Sequence, residues 1–264
     1  MILNMAVDAS ALSTPADTIG LRPGPRTFIE LAVGYILIMV VIWTPRAWQR
    51  PFYLAAVGWI IVVTILSFDG IKAMGLSIRS SLQSFWIVGA AFLFALITLL
   101  IAARFHTLHL PDGPLQFVKV FWGYALWSCM QQFLLQDFFL LRLLRLLPTT
   151  TAAVAVATAI FALAHLPNPI LTPMTVIWGL VACMHFLRYR NLYPLAIAHA
   201  ILGISIAITV PGPLDHNMRV GLGYLTYHHH HHLSQNDHIV STAACVTADA
   251  PTDRKSTRLN SSHI

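Results

Sequence analysis

The sequence predicts an all-α fold, a polytopic transmembrane bundle of about seven (six to eight) spanning helices. Two observations carry this. The chain has 264 residues, 57% of them hydrophobic and only 10% charged, whereas soluble domains carry roughly 25% charged residues. A water-facing surface cannot be assembled from that inventory. The apolar residues also gather into seven segments, at about 28–44, 52–68, 83–103, 116–146, 151–166, 170–187 and 192–210.

Breakers separate these segments: "TPRAWQRP", "FDG", "LPDGP", "LPTT", "HLPNP" and "RYRNLYP". The first 26 residues lack a basic start followed by a continuous apolar run. They read as a polar N-terminal segment without a cleavable signal, so the first spanning helix is expected to target the chain. The fourth segment is long for a bilayer, which implies tilt, a kink or extension beyond the lipid.

The membrane domain runs over about 27–212, and the character changes after Pro213. The tail, 213–264, contains five consecutive histidines, His228 to His232, and then a polar stretch without apolar periodicity. It reads as a disordered, solvated tail, although a histidine tract can bind metal. The final "DRKSTRLNSSHI" reads as a translated sequencing-adapter remnant and is set aside.

The net charge of +6 reflects scarce acids: nine aspartates and a single glutamate, Glu30. Lys and Arg lie in pairs beside apolar runs, the usual juxtamembrane pattern, and no basic stripe interleaved with aromatics suggests nucleic acid. An N-inside orientation places Arg22, Arg26, Lys72, Arg79, Arg142, Arg145, Arg188 and Arg190 inside. Arg46, Arg50, Arg104, Lys119 and Arg219 then fall outside, and the excess weakly favours that orientation. Cys129, Cys183 and Cys245 form neither a CxxC pair nor an even framework, so no disulfide scaffold or thiolate zinc site is implied.

Chemistry enters with "WSCMQQFLLQDFFLLRLLRLL", Trp127 to Leu147. On a helix Ser128, Gln132 and Gln136 recur every four residues on one face, with Gln131 at its edge. Asp137 lies about 140° round from Gln132 on a straight α-helix, unless a π-turn rotates it inward. One glutamine would suggest interhelical glue. Three amides, a serine and a carboxylate on one helix equally suggest a polar pocket.

His165 ends the fifth segment, with Phe161 one turn earlier. Counted at 1.5 Å per residue, Gln131 and His165 both lie about 25 Å from the turn at Pro148, which puts them level on antiparallel helices. A histidine at a helix end also fits an interfacial role. His199, flanked by apolar residues, needs a partner or water. It lies only about 12 Å from Asn191, so matching its depth to His165 requires that helix to start deeper. His185, near Arg188 and Arg190, reads as a headgroup-region residue.

In this order, "QQFLLQ", "FALAH" and "HAILG" resemble the three motifs of the CPBP family of intramembrane endopeptidases. That family includes the CAAX prenyl proteases and the bacteriocin-processing (Abi) proteins, and the resemblance spans about residues 80–210. Its pattern is Glu-Glu-x-x-x-Arg, then Phe-x-x-x-His, then a histidine followed four residues later by Asn or a small residue. Carried across, Gln131 and Gln132 stand at the glutamate positions, Gln136 at the arginine position, and His165 and His199 at the histidine positions.

The resemblance implies a bacterial cytoplasmic-membrane endopeptidase acting on a membrane-associated protein or peptide. His165, His199, Gln131, Gln132 and Asp137 would then be catalytic, with Ser128, Gln136 and Phe161 in binding roles. Asp137 is the nearest residue able to serve as a base. Zinc on His165 and His199 is compatible with the resemblance, although nothing requires a cofactor. An amide cannot accept a proton as a carboxylate does, so impaired catalysis is expected. The alternative is a pseudoprotease that binds a membrane peptide or partner in the same pocket. A small transporter would instead show internal symmetry and paired discontinuous helices, and the sequence has neither.

Overall fold

A computed structural model describes residues 24–77 and 82–227. The chain divides into two compact units, 1–224 and 225–264, and only residues 225–227 of the second are described. The N-terminal 23 residues, Arg79, the histidine tract and Cys245 lie outside the described residues.

The described residues are helical, with no strands. In order they form α1 (Pro25–Trp43), α2 (Arg46–Leu66), a 3-10 turn (Leu82–Phe85) leading into α3 (Trp86–Arg104), and α4 (Pro114–Phe133). A π-helical stretch (Leu134–Leu140) carries α4 directly into α5 (Leu141–Leu146). Then come α6 (Thr150–Leu163), α7 (Leu171–Tyr189), α8 (Leu192–Thr209), α9 (Gly212–Asp215) and α10 (Gly221–Leu225). Among the described residues five helices are long and apolar enough to cross a bilayer: α1, α2, Leu82–Arg104, α7 and α8. The protein is an integral membrane protein.

Element ends follow local chemistry. Pro25 and Pro114 sit in the first turns of α1 and α4, where their missing N–H costs nothing. The Thr149 side chain caps α6 through Ala152 N–H, and Asn191 caps α8 through Tyr193 N–H. The second helix starts earlier than expected, at Arg46, with Pro51 tolerated inside it. The fifth segment is shorter than expected, so His165 stands just beyond the end of α6.

Helix packing in lipid depends on close approach of small residues, and this bundle uses it repeatedly. Ala153 and Ala157 of α6 and Ala182 of α7 are fully buried. A Cβ added at Gly179 would come within 3.2 Å of Thr158, and one at Gly34 within 2.6 Å of the Phe138 ring. The outer spans α1 and α2 are only 17% buried, whereas α7 and α8 are 44% and 50% buried. The latter pair forms the inside of the bundle.

One charged knot ties three helices. The Glu30 carboxylate accepts from Arg26 Nε (2.9 Å) and Ser67 Oγ (3.4 Å), and it pairs with Arg142 Nε at 3.6 Å. Arg142 Nη1 also donates to the carbonyls of Asp137 and Phe138, both at 3.1 Å, so it clasps the π-helical stretch. Nearby Arg145 pairs with Asp69. His185, expected in the headgroup region, is buried within the protein: its Nε2 donates to the Ser84 carbonyl at 2.9 Å, and its ring packs on Trp86 and Tyr189.

Past α8 the chain folds back over the α6–α7 connection. Asn168 is fully buried. Its Nδ2 donates to the carbonyls of Asp215 (2.7 Å) and Arg219 (3.0 Å), while Oδ1 accepts from Ile170 and Leu171 N–H. His216, Asn217 and Met218 all have positive φ, between 50° and 59°, a left-handed turn disfavoured by about 1–2 kcal/mol per residue. The Asp215 carboxylate holds that turn by accepting from Asn217 N–H at 3.0 Å. Of the polar tail expected from residue 213, the part up to 224 thus carries this fold-back, and residues 228–264 lie outside the described residues. Asn168→Ala is expected to cost about 2 kcal/mol, since several buried partners lose their bonds at once. Thermal unfolding in detergent, with proteolysis after residue 210, measures it.

Candidate functional site

The site forms where α4, the end of α6, and α8 converge. Ser128, Gln132 and Gln136 are fully buried along one face of the α4–π helix. Gln136 Nε2 donates to Gln132 Oε1 at 3.3 Å, and Gln132 Nε2 meets His199 Nδ1 at 2.9 Å. An amide N–H can only donate, so His199 Nδ1 accepts and the neutral ring carries its proton on Nε2. The amides thus form a directed chain that ends on one imidazole.

The second imidazole is set by the backbone. His165 Nδ1 lies 2.8 Å from the Phe161 carbonyl, which can only accept, so this nitrogen holds the proton. His165 Nε2 is left as an acceptor and faces Gln131 Nε2 at 3.5 Å. The Phe161 ring packs between the two histidines, 4.9 Å from His165 and 6.0 Å from His199. Asn191 is itself buried, held by Ser84 Oγ at 2.8 Å. The start of α8 is therefore inside the bundle, and His199 reaches the level of the glutamines.

Gln131, Phe161, His165 and His199 line a cavity of about 1550 Å³. Its remaining wall is mainly Ile, Leu, Val, Ala and Phe, and among the described residues it contains no Asp, Glu, Lys or Arg. Gln132 and Gln136 stand behind this wall.

Asp137 is not brought into the chamber. The π-helical stretch is present, yet Gln136 keeps its four-residue spacing to Gln132, and Asp137 stays off that face. Its carboxylate is buried with neither oxygen hydrogen-bonded. The charges acting on it are Arg190, Arg142 and Asp69, on the side of the Glu30 knot. Arg190, beyond the end of α7, has its pKa lowered by burial, with Asp137 opposing the shift. Ser128 lies on the glutamine face, but its hydroxyl donates back to the Tyr124 carbonyl at 3.0 Å.

Two residues join the site without having been read from the sequence. Trp178 of α7 lines the cavity with its ring 5.8 Å from His199; it was one apolar residue among many in its segment. Tyr124 extends the Ser128–Gln132–Gln136 stripe by one turn, a signal the spacing already held. Its phenol fills the notch left by Gly203, one turn along α8 from His199, where an added Cβ would overlap the hydroxyl. Gly203→Ala is expected to expel the phenol and cost about 1–3 kcal/mol, as overpacking does. Tyr124→Ala should relieve much of that penalty in the double variant, as read by thermal unfolding.

The zinc compatible with the resemblance meets an unsuitable donor set. Among the described residues no group of three or more His, Cys, Asp or Glu side chains could hold a metal ion. The third neighbours of His165 and His199 are neutral amides, where catalytic zinc needs three good ligands.

Residues 128–204, which hold all three motifs, match the family model described as Type II CAAX prenyl endopeptidase Rce1-like, and this stretch belongs to that family. No curated protein and no solved structure matches the chain.

Proposed function

We propose that the protein is a CAAX-protease-like chamber in the bacterial cytoplasmic membrane. It takes up the apolar part of a membrane-associated protein or peptide, and its hydrolytic step is impaired. In this reading the helix from α4 to α5 and the shorter α6 also lie within the bilayer, giving seven membrane helices. Gln131 and Gln132 stand where the family carries its glutamates.

One observation carries the reading: among the described residues the chamber wall has imidazoles and amides but no carboxylate. General-base catalysis of peptide hydrolysis needs a group that takes a proton from water in the transition state, and an amide has no basic site. What the wall retains is recognition. The Gln131 amide can donate to a substrate carbonyl, as an oxyanion donor does, and the apolar remainder accepts hydrocarbon.

A hydrolytic reading has one specific support. His165, with Nδ1 fixed on the Phe161 carbonyl, presents an acceptor nitrogen beside Gln131 and is the one ring placed to serve as a base. A prenylated CAAX-type peptide carrying a photoreactive group separates the readings. In proteoliposomes the native protein is expected to cross-link the peptide through chamber residues and return it uncleaved. Steady release of the shortened product would establish the hydrolytic reading instead.

A further inference from the structure

The chamber lacks charge of either sign, not carboxylates alone. Among the described residues no Asp, Glu, Lys or Arg lines it, while Arg142 and Glu30 pair in the knot outside its wall and the Asp137 carboxylate is buried off it. A charged ligand group drawn into such a space would lose its hydration with no counter-charge to replace it. A group of polar side chains nevertheless lies together on its wall. Gln131 and His165 are neighbours, His199 is linked to His165 through the Phe161 ring, and the Tyr124 phenol of α4 packs at Gly203, one turn along α8 from His199. Together they offer both donors and acceptors to a neutral head. The part formed by α1, α2 and α3 is mainly apolar, with Ile38, Ile60, Ile61 and Phe94, and its polar atoms are the hydroxyls of Tyr35, Tyr53 and Thr64. The volume of about 1550 Å³ exceeds the 300–1,000 Å³ or so of ordinary small-molecule pockets, which leaves room for a long chain behind the head.

We propose that the chamber selects an uncharged amphiphile: a single amide, ester or alcohol head held by Gln131, His165 and Tyr124, with its hydrocarbon chain along α1, α2 and α3. This rests on the chamber reading above and specifies what enters it. A peptide would enter through neutral backbone amides and apolar side chains, with its terminal carboxylate left outside.

The test uses the full chain in phosphatidylcholine nanodiscs. Dibrominated oleamide serves as a quencher of tryptophan fluorescence, and Trp178→Phe identifies the chamber's share of the signal. Oleamide, oleyl sulfate and oleyl trimethylammonium then compete with it. Oleamide is expected to displace the quencher, and both permanently charged probes to need at least about tenfold higher concentration, the consequence of burying an unpaired charge. Tyr124→Phe should weaken oleamide about three- to tenfold, the loss of one hydrogen bond. If either charged probe competes as well as oleamide, charge selection is overturned while the chamber reading stands. If no quenching depends on Trp178, both are overturned.

Discussion

Replacing Gln131 with glutamate is expected to raise peptide hydrolysis by about 10²–10⁴-fold, the usual contribution of a positioned general base. The substitution is nearly isosteric, and it puts a carboxylate on the cavity wall where the amide now lies 3.5 Å from His165 Nε2. Water held between that carboxylate and the ring would have a group able to take its proton. Gln132→Glu should yield far less. Its side chain is fully buried behind the wall, committed to His199 at 2.9 Å and to Gln136, and a carboxylate there has no cation to replace the water it loses. Cleavage of a prenylated CAAX peptide in proteoliposomes measures both. A Gln131→Glu protein that still cross-links the peptide but cleaves no faster than the native chain would show that the missing base is not what limits the reaction.

Arg142→Met is expected to destabilise the bundle by about 3–5 kcal/mol, the usual consequence of removing one partner from a buried ion pair. Glu30 would keep only Arg26, itself largely exposed, and Ser67. The Asp137 and Phe138 carbonyls would lose the donor that bridges them across the π-helical stretch. A double-mutant cycle makes the attribution sharp. Arg142→Met with Glu30→Gln should be much less destabilised than the sum of the single variants, because the orphaned charge is gone. Additive losses would mean that Arg142 acts through its carbonyl bonds and its packing over the Phe138 ring. Thermal unfolding in detergent reads the cycle.

Much of the architecture was legible because spanning helices announce themselves by composition and length. The all-helical fold and the order of the segments needed nothing more. Tertiary partners were harder to read. Glu30 stood far from every motif, and no local pattern says that it meets Arg142, 112 positions later, to join α1 to α5. Angular arithmetic placed Asp137 off the glutamine face, and a π-turn was the one device that could have altered this. The turn exists, yet it starts after Gln132 and leaves the Gln132–Gln136 spacing intact. The partner of His185 was hidden by distance along the chain. Its neighbours Arg188 and Arg190 suggested the membrane surface, and nothing local announced that the 3-10 turn before α3 covers it through the Ser84 carbonyl. Tyr124 was legible as one more turn of the glutamine stripe, but its seat in the notch at Gly203 was not, because an absent side chain carries no pattern of its own.

The cavity is assembled from two kinds of sequence. Gln131, His165 and His199 come from the Rce1-like stretch, but Ile38 and Ile60 precede it, and Asn217, Met218 and Val220 come after it. Reactivity and fit are therefore separable along the chain. A chimera that carries residues 128–204 into a protein of that family should transplant Gln131, His165 and His199 and leave Tyr124 and the walls from α1, α2 and α3 with the host.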